Sequence, residues 1–118
     1  MDREYLIKDW FAKWENGDYL HLPVTDDFCH TSPFGTIDGK KAYLDLVKAN
    51  EDKFLGQQFE IHDIICHADV ACARYTARQG DAFLLEVSEW YYFKEDLIEK
   101  IIAYYHIGAI RSERQLET

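Results

Sequence analysis

Apolar positions recur at helical spacing near the start of the chain and alternate in twos over its second half, so the hydrophobic period changes along the sequence. Leu6, Ile7, Trp10, Phe11 and Trp14 fall on one face of a helix running from Asp2 to Asn16, with Asp2 placed to cap it and Asn16-Gly17 to end it. A short helical turn over Asp18 to Leu22 is stopped by Pro23, and Thr25 to Ser32 reads as a strand ended by Pro33. Gly35 to Gly39 reads as a turn, ahead of a second helix over Lys40 to Lys53 marked by Tyr43, Leu46, Val47, Asn50 and Phe54. Four β-rich runs follow, Gln57 to His67, Val70 to Arg78, Ala82 to Lys94 and Leu97 to Ile110, with hairpin turns at Ala68-Asp69 and Gln79-Gly80-Asp81. Helices first and antiparallel strands later predict an α+β fold, in which one curled, mostly antiparallel sheet wraps around the helices. Strands this long need bulges to curl around a pocket.

At 118 residues, with no repeat and no Pro/Ser-rich linker, residues 1–118 are expected to form one domain. Its 3 Trp, 8 Tyr and 7 Phe are enough to fill a core and also line a cavity. A formal net charge of −9 with scattered basic residues argues against a nucleic-acid partner. The N-terminus MDREYLIKDWF lacks the basic and apolar regions of a secretion signal, and no window has the apolar length of a membrane span. Cys29, Cys66 and Cys72 are an odd number in apolar, strand-like settings, so buried free thiols and a cytoplasmic location are expected. A metal site is not expected, because CxxC, HxxxH and HExxH are all missing.

Alternation sorts Ala82 to Lys94 into two faces, Leu85, Val87, Glu89, Tyr91 and Phe93 on one and Glu86, Ser88, Trp90 and Tyr92 on the other. Both carry aromatics, which suits one face turned to the interior and one to a partner. Trp90, Tyr92, Ile102 and Tyr104 would make an outer patch larger than a monomer leaves wet, and a homodimer through that sheet face is expected. His30 and Ser32 share a strand face. Arg74 has two readings, a clamp for a ligand carboxylate or a surface pair with Glu86 across the hairpin. Trp10 and Trp14, four residues apart, are either core or pocket wall. Alternation from Ile101, Ala103 and Tyr105 sends His106 outward.

The segment TDDFCHTSPFGTIDGK, joining a strand to a helix through a Pro-Phe-Gly turn, resembles the SnoaL-like branch of the nuclear-transport-factor-2-like cone proteins, as does FKEDLIEKI. The resemblance runs from Tyr5 to about Ile110 and implies a cone with an interior pocket. Set against ketosteroid isomerase, a relative in fold, SEWYYF places Glu89 at that enzyme's oxyanion-hole acid and turns its face inward, with Leu85 and Val87 on the pocket wall; for an enzyme of this kind Trp10, Trp14, Tyr91 and Tyr105 are expected as walls. Ser32 stands where the general-base Asp would be and Trp10 where a tyrosine would be, so steroid-type isomerisation is not implied. Against limonene epoxide hydrolase, Arg74 matches but Thr76 replaces the relay Asp. The family comparison brings His106 inward, in conflict with strict alternation. The expected function is binding of a small apolar or carbonyl compound, with cofactor-free proton transfer by His30 and Glu89 and His106 as a second shuttle. The other reading is a non-catalytic binding or interaction module in which Glu89 is a satisfied core residue.

Overall fold

The computed structural model describes residues 2–81 and 83–106. Helix α1 (Arg3–Glu15) begins where the Asp2 carboxylate accepts the Glu4 N–H at 3.0 Å, and it ends at Asn16, with Gly17 at φ 71°. A 3-10 turn (Tyr19–His21) leads into β1 (Val24–Ser32). The segment expected as a turn instead forms a short strand, β2 (Gly35–Asp38), pairing antiparallel with β1 from Cys29↔Asp38 to Ser32↔Gly35. Four mostly polar residues carry too little alternation to show themselves as a strand.

The second helix is divided into α2 (Lys40–Ala49) and α3 (Glu51–Phe54). Asn50 causes the break: its backbone leaves helical geometry at φ −128°, ψ 35°, while its buried side-chain amide donates to the Leu46 carbonyl at 2.9 Å. Strands β3 (Gln58–His67), β4 (Val70–Gln79), β5 (Phe83–Lys94) and β6 (Leu97–Tyr104) complete one sheet in the order β2-β1-β6-β5-β4-β3. Only β1 and β6 run parallel, and the sheet stays unclosed.

Three register shifts bend the sheet: Val24 to Cys29 on β1, Ile61 to Asp63 on β3 and Tyr92 to Phe93 on β5. Into the concave side α1 sets Leu6, Ile7, Trp10, Phe11 and Trp14, all buried. Burial of each such side chain contributes about 1.5–3 kcal/mol. The facing strands carry small residues, Ala71, Ala73 and Ala77 on β4 and Ala103 on β6, so helix and sheet meet with space left between them. On β5 the residues that alternation grouped together, Leu85, Val87, Glu89, Tyr91 and Phe93, are all buried, the face that the family resemblance turned inward. Among the described residues no helix is long and apolar enough to cross a membrane. Cys66 is exposed and Cys29 and Cys72 half-buried, so the expectation of buried thiols is corrected: all three lie towards sheet ends or the outer face.

Candidate active site

Between α1 and the sheet lies a cavity of about 560 Å³. Trp10, Phe11 and Trp14 form its roof, and Leu85, Val87 and Glu89 from β5 part of its floor. Glu89 is the one carboxylate among the described lining residues, and it is only 3% exposed. Its cross-strand neighbours are both alanines, Ala73 on β4 and Ala103 on β6. That leaves room above the carboxyl group for two phenols: Tyr91 Oη donates to Oε1 at 2.6 Å and Tyr75 Oη to Oε2 at 3.1 Å. Burial raises the Glu89 pKa to about 7, and the two tyrosine hydrogen bonds offset part of that rise by favouring the charged form.

His30 enters the cavity from β1, one strand away from β5 across β6. Its ring stacks on Tyr43 at 5.3 Å, and no described residue hydrogen-bonds either ring nitrogen. Burial lowers its pKa to about 4, so the imidazole is neutral at physiological pH. The ordinary order of the two groups is therefore reversed. Glu89 is the stronger base and titrates near neutrality, while His30 is a neutral ring with one donor and one acceptor facing the cavity. Among the described residues, no hydrogen bond or ion pair joins the two. Burial also raises the Tyr43 phenol well above its ordinary pKa, as does the charge of Glu89, which keeps it protonated.

Residues 7–101 match the family model described as the SnoaL-like domain. The chain belongs to that family. No curated protein matches the sequence. Solved structures similar to this SnoaL-like domain include a nuclear-transport-factor-2-like protein of unknown function from Cytophaga hutchinsonii, with TM-score 0.75, 14% identity, and 90% of this chain and 91% of that one covered. An epoxide hydrolase of the limonene-epoxide-hydrolase-like kind from M. tuberculosis superposes with TM-score 0.77 at 15% identity, over 89% of this chain and 83% of that one. A candidate polyketide cyclase from Xanthomonas campestris gives 0.69 at 14% identity, over 89% and 90% of the two chains. At such identities the shared property is the fold.

Of the residues picked out by sequence in this SnoaL-like domain, His30, Glu89, Trp10, Trp14, Ser32, Val87 and Tyr105 all line the one cavity. Ser32 accepts the Phe34 N–H at 3.2 Å, closing the Pro-Phe-Gly turn, and interacts with the Tyr105 hydroxyl. Tyr91 is fully buried behind Glu89 and reaches the carboxylate, not the open space. His106 is exposed: alternation continues from Ala103 through exposed Tyr104 to Tyr105, which lines the cavity. Arg74 lies on the outer face, where its Nε donates to Asp63 at 2.9 Å, and the expected pairing with Glu86 is replaced. The bulge at His62 brings Asp63 opposite Arg74, and Glu86 instead accepts from Thr76, directly across from it, at 2.8 Å.

Sequence reasoning missed Tyr75 and Tyr43. The signal for Tyr75 is its place on the inward face of β4, between Ala73 and Ala77, where small neighbours leave a large polar side chain room to point at a ligand or an acid.

Proposed function

We propose that this SnoaL-like domain is a cofactor-independent enzyme that moves a proton on a small carbonyl compound held in the cavity. The observation that carries the reading is Glu89, the one carboxyl group among the described lining residues, poised to titrate near pH 7 in an aromatic cavity that also holds a neutral imidazole with no hydrogen-bond partner among the described residues. In this reading Glu89 accepts a proton from the carbon beside the carbonyl and returns it at another position. His30 donates a hydrogen bond to the carbonyl oxygen as negative charge develops there. Enolisation followed by reprotonation, elimination or ring closure are the reactions this arrangement serves, in keeping with a fold that includes isomerases, cyclases and epoxide hydrolases.

The test is exchange of α-protons for deuterium. A panel of apolar ketones is incubated with the protein in heavy water and followed by proton NMR. Protein-dependent exchange is expected, slowed at least about hundredfold by Glu89→Gln and also slowed by His30→Ala. Exchange that is the same in both variants as in the wild type, or no exchange with any ketone, would sink the reading.

One observation favours the second reading, a non-catalytic ligand-binding module: both Glu89 oxygens are already satisfied by tyrosine hydroxyls. Ketone binding without exchange is its signature.

Assembly is part of the proposal. On the outer face Trp90 is 39% and Tyr104 58% exposed, with Ile102 paired to Trp90 and Lys100 over the Tyr92 ring at 5.4 Å. A homodimer through this face covers them. Sedimentation at tens of micromolar is expected to show a dimer, and Trp90→Glu with Tyr104→Glu a monomer. A monomeric wild type would exclude this assembly. The setting proposed is the cytoplasm, where the thiols, none of them in a disulfide, stay reduced.

A further inference from the structure

The cavity has two chemically different ends. Phe83, Leu85, Val87 and Glu89 line it from successive inward positions of β5, a run of about 20 Å at strand rise. Glu89 marks one end, with Ser32, Ala103 and Tyr105 nearby on the strands next in order. The Phe83 end is fixed under α3: Gln79 pairs with Phe83 across the β4–β5 turn, and its side-chain amide donates to the carbonyls of Asp52 and Leu55. Lys53 and Gln57 line the cavity from that segment, and the Gln57 amide donates to the Lys53 carbonyl at 2.7 Å. Lys53 is the only cationic side chain among the described lining residues, and Glu89 the only anionic one. Between them the walls are apolar and aromatic, including Trp14 stacked on Phe54 at 5.6 Å.

We infer that the ligand is an elongated apolar keto acid, its carboxylate held at Lys53 and its carbonyl at the Glu89 and His30 end. The inference rests on the reading of that end as the carbonyl site and adds to it a second anchor and a length. Lys53 is half-buried, so an anion held at its ammonium lies in surroundings drier than bulk water, where a charge-assisted hydrogen bond is stronger than at an open surface. An acid placed the other way round would set its carboxylate against Glu89. The two charges therefore select direction as well as class.

The probes are phenyl ketones bearing a terminal carboxylate on polymethylene chains of increasing length, each beside its methyl ester, with binding followed by the fluorescence of Trp10 and Trp14. The acid is expected to bind about tenfold more tightly than its ester, with an optimum at one chain length. Lys53→Met removes the preference of acid over ester, whereas Lys53→Arg keeps it. Equal affinity of acid and ester in the wild type, or a preference that survives Lys53→Met, overturns the inference and leaves the carbonyl site standing. Failure of every acid and every ester to bind overturns the pocket reading itself, and the keto-acid assignment with it.

Discussion

Between pH 4.5 and pH 7 wild-type stability should fall by about 3 kcal/mol relative to Glu89→Gln, and between pH 4 and pH 6.5 it should rise by about 3 kcal/mol relative to His30→Phe. The signs follow from which state holds the proton more tightly. Burial raises the Glu89 pKa from 4.5 to about 7, so the folded chain keeps a proton that the unfolded chain has released. The stability this group contributes is complete below pH 4.5 and is lost as pH rises through about 7. His30 works in the opposite direction. Its pKa falls from 6.5 to about 4, so its contribution is complete above pH 6.5 and is lost as pH falls through about 4.

Across the overlap of the two windows the slopes cancel, and the wild type shows little pH dependence from this pair. Each single variant unmasks the other group. Urea titrations of the three proteins at half-unit pH intervals check the result. Parallel curves for wild type and Glu89→Gln would mean that the carboxyl group is as well solvated when folded as when unfolded.

The fold was legible because its longest elements state their period plainly. The stripe from Leu6 to Trp14 needs a covering surface; alternation sorts β5 into two faces, and the family resemblance picks that of Leu85, Val87, Glu89, Tyr91 and Phe93 as the one that supplies it. What escaped depends on pairing between segments distant in sequence. Arg74 finds Asp63 only because one extra residue, His62, shifts the register of β3. Tyr75 reaches Glu89 because β4 and β5 align Ala73, not a bulky residue, against the acid. Cross-strand register is a tertiary property, and no local pattern around Tyr75 or Glu89 contains it. The helix break was hidden for a different reason. Asn50 fits the apolar stripe by position, and only its own amide, turned back to the Leu46 carbonyl, shows that it ends a helix.

Phe28→Ala should cost about 3–5 kcal/mol, a large share of the roughly 5–15 kcal/mol available to a domain of this kind. Phe28 has no exposed surface and sits in the irregular stretch of β1 between Val24 and Cys29, where regular pairing to β6 lapses. Its ring holds that stretch by packing, at 5.2 Å from Tyr43 and 6.1 Å from Trp10. Removing it takes a shared neighbour from the helix roof, from α2 and from His30, whose ring lies 6.4 Å away. Water admitted there would relieve the desolvation that depresses the His30 pKa, which should move up from about 4 towards 6.5. Denaturant unfolding gives the stability loss, and the imidazole NMR shifts give the titration. Loss of stability with an unmoved His30 titration would show that the ring is kept dry by its other neighbours, Tyr43 among them. A loss at the low end of that range would show that α1 and β1 close over the missing ring, because a persisting cavity adds to the cost of the buried surface removed, and a loss under about 1 kcal/mol would contradict the prediction.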